Sequence, residues 1–332
     1  MAAPRLFRLR AEVASNPSGP VADRLPVARV RVDTGVFHLD QMYDYSVPEK
    51  LSDAVVPGVR VQLPFGNRET EGIVVERVSQ PERAGSLKAI TKVLSPHVVA
   101  TPALLHLVDK ASNFYCCNPW DLVRSAIPPR VAAVDKELPV AHHETWSPQT
   151  KKPTVYQSFK PFLASHEQLS DIVSDFKNLG SVLIVAPDER DVEKIVESLS
   201  STFNNVLKLS SASTREERYR NFLLSMRLDS SIVVGTRSAI FAPVRNLAAI
   251  IIYKESSPDH YELRAPGWNS SAIAKMRAES EGLALVLTGF TPSVRVAHEI
   301  DARTIKFVNQ RTQVNVQAFV PSDGTLLPGR IF

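Results

Sequence analysis

The sequence is poor in the residues that stabilise small secreted proteins or bind structural metal ions. It has two cysteines in 332 residues, and these are the neighbours Cys116 and Cys117, which rarely satisfy disulfide geometry. Two thiols cannot supply the four ligands of a structural zinc site. Among the histidines only His142 and His143 are adjacent, and we interpret them as part of a polar linker. We therefore expect neither a disulfide framework nor a metal site.

Long apolar runs and a strong excess of charge are also missing. The apolar stretch at residues 247–252 is far too short to span a bilayer. The arginines near the N-terminus precede no apolar segment of the kind found in secretory signals. The net charge of +4 is too small to identify a nucleic-acid ligand by itself. We expect a cytoplasmic globular protein without a membrane partner.

The first part of the chain has the pattern of a small β-rich domain. Residues 1–25 mix Ala, Pro, Ser and Arg without a period and are predicted to form a mobile tail. From Val27 to Val78, alternating and β-branched runs are separated by Pro-Gly and Gly-Asn turn signals. Two short helices should follow, the second capped by Asn118 with a proline at its first position. We predict an α+β domain, rich in β-strands, over residues 26–128.

The second part of the chain has a different pattern of apolar and polar residues. Residues 129–158 are rich in Pro, Lys, His and Thr without an apolar period, and we predict a linker. Short, nearly continuous apolar strands then alternate with helices, which predicts an α/β doubly wound parallel sheet over residues 159–332. The predicted strands lie at 181–186, 205–209, 231–234, 248–252 and 283–287.

A series of short motifs in the first domain resembles the 3′-end DNA-binding domain of the PriA family of replication restart proteins. The series includes Tyr-Asp-Tyr at 43–45, Phe-Gly at 65–66 and Leu-Lys-Ala-Ile at 87–90, and it continues in order and spacing to residue 128. In that family the domain captures the 3′ end of a nascent strand at an abandoned replication fork. The residues that the resemblance implies for DNA 3′-end binding are Tyr43, Asp44, Tyr45, Phe65, Gly66 and Lys88.

Each of these residue types suits contact with a strand end. An aromatic ring offers a stacking face to a base, worth about 1–3 kcal/mol and tolerant of base identity. The carboxylate of Asp44 can accept from an amine on a base edge. Gly66 allows close approach of the backbone to a sugar, and Lys88 would contact a phosphate.

Residues 232–243 resemble the Val-Gly-Thr-Arg-Ser-Ala segment of the first, RecA-like helicase lobe of the same family, but the ATP chemistry is missing. The dipeptide Gly-Lys, required in a phosphate-binding loop, occurs nowhere in the chain. The acidic pair expected after the 250–252 strand is replaced by Tyr253, Lys254 and Glu255, and a lysine there would repel Mg²⁺. We therefore predict no catalytic, nucleotide-binding or metal-binding residues, although complete family members would bind ATP and zinc.

The loop after the same strand is a second candidate position for a site. Glu255, Asp259 and His260 lie close together in sequence where α/β proteins often bind ligands. Such residues in a loop are usually solvated, so we interpret them as exposed side chains without a catalytic role.

The resemblance implies a replication restart and primosome assembly protein. It would recognise abandoned forks through the nascent 3′ end and help to reload the replicative helicase without helicase activity of its own. The implied partners are forked and single-stranded DNA, primosome proteins and the helicase loader, in a nucleoid-associated location. Two alternatives remain: an ATP-dependent 3′-to-5′ DNA helicase, and a truncated, non-functional remnant. Because the chain ends after the first lobe, we interpret it as a fragment, a truncated reading frame or a reduced protein.

Overall fold

A computed structural model describes residues 19–39, 41–83, 85–140 and 152–309. Its N-terminal part is a five-stranded antiparallel sheet with strand order β2-β1-β4-β3-β5. The strands are β1 (Val27–Val32), β2 (Met42–Ser46), β3 (Val59–Phe65), β4 (Arg68–Val78) and β5 (Lys92–Val98). The β-rich fold class predicted for this part is confirmed.

The turn residues and the alternation of buried and exposed side chains explain why this part of the chain forms a sheet. Val30, Val61 and Val74 are fully buried on one face and form a single apolar cluster. The β3–β4 hairpin turns through two residues, and the first of them, Gly66, has φ +60°. A two-residue II′ turn requires glycine at this position. The turn therefore sets the register that places Phe65 opposite Arg68.

Three helices connect the two parts of the chain: α1 (Pro102–Tyr115), α2 (Pro119–Ala126) and α3 (Ala132–Glu137). The Asn118 side chain accepts from the Trp120 amide at 2.8 Å, and Pro119 occupies the first position of α2. The predicted cap is confirmed.

The second part is a seven-stranded sheet in the order β14-β6-β13-β10-β7-β9-β8, with every neighbouring pair parallel. Its strands are β6 (Thr154–Ser158), β7 (Ser181–Val185), β8 (Val206–Leu209), β9 (Ile232–Gly235), β10 (Leu247–Ile252), β13 (Ala284–Gly289) and β14 (Lys306–Val308), and β11 (Tyr261–Glu262) and β12 (Trp268–Asn269) form a separate hairpin. The helices are α4 (Leu169–Lys177), α5 (Glu189–Ser200), α6 (Arg215–Ser225), α7 (Ser270–Glu281) and α8 (Val294–Asp301).

Helices cover both faces of the parallel sheet. The apolar residues of α4 and α5 form one core with one face, while those of α6 and α7 form another core with the opposite face. The α/β doubly wound prediction is confirmed. Side chains of α1 and α2 belong to the second of these cores, so the helices that follow the β domain pack directly on the lobe.

A buried carboxylate reinforces this contact. Asp135, on α3, accepts from the Tyr219 hydroxyl at 2.7 Å, the Ser95 hydroxyl at 3.1 Å and the Arg130 Nε at 2.5 Å. Burial raises the pKa of Tyr219 to about 12. The His97 ring lies 3.8 Å from Asp135, and its pKa is lowered by burial and by the nearby Arg227 guanidinium. This polar cluster joins β5, α3 and α6.

The predicted mobile tail at residues 1–25 is wrong for its last residues. Ala22 is buried and its amide donates to the Val47 carbonyl at 2.9 Å. The Arg77 guanidinium donates to the carbonyls of Arg24 and Leu25 at 3.0 and 2.7 Å. These partners lie far away in sequence, so a segment without a local period can still be ordered. Residues 1–18 lie outside the described part of the chain.

The structure also differs from the predicted linker at 129–158. Helix α3 occupies six of these residues, and β6 pairs with both β13 and β14 inside the parallel sheet. Both elements are too short to show a period, so their packing partners decide their conformation. The predicted linker histidines, His142 and His143, lie outside the described residues, as do residues 310–332 of the predicted lobe.

Candidate nucleic-acid interface

The DNA-contacting residues predicted from the sequence lie around the outer edge of β2. At one end of this edge, the Ser46 amide donates to the Lys88 carbonyl and the Ser46 carbonyl accepts from the Ile90 amide, at 2.9 and 3.0 Å. Asp44 lies two residues earlier, so its backbone N–H and C=O point to the same side. Within the described residues, neither group has a backbone partner on that side. The strand edge at Asp44 is therefore open.

The aromatic residues beside this edge differ in exposure. The rings of Tyr43 and Phe65 are half-buried and pack edge to face with their centroids 5.0 Å apart. The ring of Tyr45 is 4% exposed, its hydroxyl donates to the Pro64 carbonyl at 3.2 Å, and burial raises its pKa. In this conformation Tyr45 is a core side chain and presents no free face to a base, whereas Tyr43 and Phe65 each keep part of a face at the surface.

Lys88 and Gly66 meet at the tip of the β3–β4 hairpin. The exposed ammonium of Lys88 donates to the Gly66 carbonyl at 3.1 Å. An ammonium has three donors, so two remain for other acceptors. A side chain added at Gly66 would meet no atom within 4 Å, which shows that the turn is open to a ligand.

Asp44 lies on the opposite face of β2 from Tyr43 and Tyr45, because successive side chains alternate along a strand. Its Oδ2 accepts from the Glu82 amide at 2.6 Å, and its Oδ1 lies 3.5 Å from the Arg29 Nε. The structure thus brings the other five predicted residues together on one side of the edge and places the carboxylate on the other side. The period-2 alternation of residues 43–45 could have shown this from the sequence.

Sequence reasoning missed two neighbours of Asp44. Arg29 pairs across the strands with Asp44 and also donates to Glu76 at 2.7 Å. The Glu82 amide reaches Asp44 from the segment that follows β4. The strand pairing of Arg29 could be inferred once β1 and β2 are aligned, but nothing in the sequence marks the Glu82 amide.

The segment directly after β6, where a phosphate-binding loop would lie, begins with Phe159 and Lys160 and borders a cavity that Gln168 and Asp171 also line. The Phe159 ring lies 5.5 Å from the Tyr253 ring and 5.6 Å from the Phe290 ring. The Lys160 amide donates to the Gln168 side chain at 2.7 Å, and the Gln168 amide group donates back to the Lys160 carbonyl at 3.1 Å. A phosphate cradle needs a glycine-rich loop with several backbone amides free to donate. Residues 159–168 contain no glycine and the Lys160 amide is bonded within the segment, so these residues do not fit the phosphates of ATP.

The neighbouring position, where an acidic pair would hold Mg²⁺, carries a cation instead. Lys254 follows β10 and its ammonium donates to both carboxylate oxygens of Asp191 at 2.8 Å. Burial opposes the charge on Lys254, but the hydrogen bonds to Asp191 together with the electrostatic attraction of Tyr253, Asp191 and Asp188 outweigh it and raise the pKa of Lys254. A protonated lysine paired with this carboxylate does not fit a metal ion.

The interpretation of Glu255 and His260 as exposed loop residues is wrong. The carboxylate of Glu255 is buried and accepts from the backbone amide and the hydroxyl of Ser293 at 3.1 and 2.9 Å. The ring of His260 is fully buried between the Tyr253 carbonyl at 2.8 Å and the Ser270 hydroxyl at 2.7 Å. Burial lowers the pKa of His260. Both side chains fasten loops to the lobe.

The described residues offer neither a metal site nor a membrane-spanning helix. No three His, Cys, Asp or Glu side chains in this part of the chain lie together so that they could hold a metal ion. No helix of the same residues has the length and apolar character needed to cross a membrane.

Comparison with known proteins supports the resemblance seen in the sequence. Residues 29–128 match the model of the PriA 3′ DNA-binding domain. The probable replication restart protein PriA of Mycobacterium tuberculosis is 29% identical over 279 residues, which cover 77% of this chain and 43% of that protein. The protein of the same name from Mycobacterium leprae is 29% identical over 284 residues, and replication restart protein PriA of Rickettsia conorii is 25% identical over 293 residues. The predicted relationship to PriA is confirmed.

This chain spans less than half the length of these relatives, between 43% and 45%. Among solved structures, the C-terminal domain of the DEAD-box protein Dbp5 is similar over 47% of this chain and 89% of that one, at 14% identity and a TM-score of 0.34. A TM-score this low supports no conclusion about function.

Proposed function

Because residues 29–128 carry a PriA-type 3′ DNA-binding domain, we propose that this protein recognises the 3′ end of a nascent strand at abandoned replication forks. In this proposal it helps to reload the replicative helicase in replication restart and does not unwind DNA itself. The observation that carries the proposal is the open edge of β2 at Asp44, which lies between the Tyr43–Phe65 ring pair and the hairpin tip held by Lys88.

An open strand edge suits a terminal base of any identity. The backbone N–H and C=O of Asp44 supply one donor and one acceptor side by side, and every base edge carries groups that can meet such a pair. The partly exposed rings of Tyr43 and Phe65 add apolar contact that does not depend on sequence. The two remaining donors of Lys88 can meet a phosphate. These features favour capture of an end over reading of a sequence.

The lobe would act as a rigid base for this domain. Its apolar core is continuous with α1 and α2, so the strand-end site is held in a fixed orientation relative to the lobe. We infer that its surface serves as a docking site for primosome proteins, the helicase loader and single-stranded DNA. This role agrees with a nucleoid-associated protein.

Forked DNA with two kinds of leading-strand end tests the proposal. The wild-type chain is expected to bind a fork with a free 3′-hydroxyl more tightly than the same fork with a 3′-phosphate, because the proposed pocket admits an end and not a continuing strand. Fluorescence anisotropy at several salt concentrations separates this preference from salt-sensitive phosphate binding. Equal affinity for both forks at every salt concentration would contradict the proposal and favour the non-functional remnant.

A second prediction concerns the lobe. Mg²⁺-ATP is expected to leave the melting temperature unchanged, because the segment after β6 has no glycine-rich loop and Lys254 occupies the metal position. A ligand present at about 100 times its Kd would stabilise the fold by about 2.7 kcal/mol, which thermal melting detects readily. Adenosine serves as a control for binding of the base alone. A saturable rise in melting temperature with DNA-stimulated phosphate release would instead favour the ATP-dependent helicase.

A further inference from the structure

One backbone amide occupies the carboxylate of Asp44, the residue whose backbone forms the open edge of the proposed strand-end site. Residues 79–83 leave the end of β4, and all except Pro81 are exposed. The Glu82 amide donates to the Asp44 Oδ2 at 2.6 Å. Among the described residues of the segment between β4 and Lys88, this is the only hydrogen bond. The described residues of this segment are therefore fastened to β2 by one hydrogen bond.

This contact leaves little room for a ligand at Asp44. The Asp44 side chain is 12% exposed, with one oxygen on the Glu82 amide and the other facing Arg29. An ionised carboxylate can accept more than two hydrogen bonds, so lone pairs are not the limit. Access is the limit, because the side chain is 12% exposed and the Glu82 backbone lies against Oδ2. A base amine can reach this oxygen only when the Glu82 backbone moves.

We propose that the Glu82 amide is a built-in competitor of the strand end: it holds Asp44 in the free protein, and a bound end replaces it. Residues 79–83 then withdraw from β2 as the end enters. This inference rests on the proposed function of the same site. A segment that is exposed and fastened by one hydrogen bond opens at low cost, so the exchange requires no unfolding of the sheet.

Two substitutions at one position separate the amide from the side chain. Glu82→Pro removes the N–H donor, whereas Glu82→Ala keeps it, and both remove the carboxylate that lies near Arg29. Glu82→Pro is expected to bind the 3′-hydroxyl fork about ten- to a hundredfold more tightly than Glu82→Ala, because the competing hydrogen bond to a charged group, worth about 1.5–3 kcal/mol, is gone. Thermal melting of both variants verifies that the fold is intact.

Amide hydrogen exchange on the wild-type protein tests, without a substitution, whether the strand end replaces the Glu82 amide at Asp44. The Glu82 amide is expected to exchange faster when the 3′-hydroxyl fork is bound, since its acceptor then bonds the DNA. The inference is wrong if the amide becomes more protected on binding, or if the two variants bind the fork equally. In either case, a wild-type preference for the 3′-hydroxyl fork would leave the proposed function intact. If wild type shows no such preference, both the proposed function and this inference are overturned.

Discussion

An Asp135→Ala variant is expected to lose about 3 kcal/mol of unfolding free energy or more. The carboxylate is 4% exposed and bonds Ser95, Arg130 and Tyr219. Its removal leaves a guanidinium and two hydroxyl groups at the junction of β5, α3 and α6 without their shared acceptor. Unpaired buried polar groups of this kind are costly because no water replaces the lost partner. Urea unfolding followed by circular dichroism measures the loss.

Glu137→Ala is the matched control for this prediction. Glu137 lies on the same short helix and bonds Arg220 at 2.7 Å, but its side chain is 51% exposed. Water can replace it, so little change in the urea midpoint is expected. An equal loss in the two variants would show that α3 itself, and not the buried carboxylate, joins the β domain to the lobe.

An Asp44→Ala variant is expected to bind the 3′-hydroxyl fork about ten- to a hundredfold more weakly than wild type, which corresponds to the loss of about 1.5–3 kcal/mol for a hydrogen bond to a charged group. Its affinity for the 3′-phosphate fork should stay near the wild-type value, because that binding depends on contacts with phosphates. Anisotropy titrations with both forks at one fixed salt concentration measure the two affinities together.

Glu76→Ala controls for the structural role of Asp44. Glu76 bonds the same Arg29 guanidinium at 2.7 Å, but it lies on β4 and not at the open edge of β2. The change removes a partner of Arg29 and leaves the proposed acceptor in place. The prediction for Asp44 fails if Glu76→Ala weakens binding to the 3′-hydroxyl fork by the same factor, since the effect would then come from Arg29.

Most strands of the two sheets followed from local pattern, but β5, β6 and β14 were not predicted. The five predicted lobe strands appear within one or two residues of their predicted bounds, because buried parallel strands are short apolar runs between helices. The Asn118 cap and the Gly66 turn could also be predicted, because each depends only on neighbouring residues. Strand β6 was missed, since five residues with a single buried aromatic ring, Tyr156, carry no period.

The candidate site was predicted in part. The sequence indicated which residues would lie close together, namely the motif at 43–45, the Phe65–Gly66 turn and Lys88. In the structure the Lys88 ammonium donates to the Gly66 carbonyl, and the Tyr43 ring packs against Phe65. It could not be foreseen that Tyr45 is a core residue, because its burial depends on how the hairpin packs over β2. Contact between these residues and DNA is still a prediction.

Local sequence pattern was enough to predict the order of a β-rich domain and an α/β lobe, and to show that the chain has no Gly-Lys phosphate loop. These properties depend on residues close together in sequence, so hydrophobic period, turn residues and short motifs reveal them. Three further properties became visible only in the folded chain: Asp135 joins the two parts, Glu255 and His260 are buried, and the Glu82 amide bonds Asp44. The partners in these contacts lie as many as 84 residues apart in sequence. Buried polar atoms need hydrogen-bond partners, but no local pattern indicates which distant group will supply them.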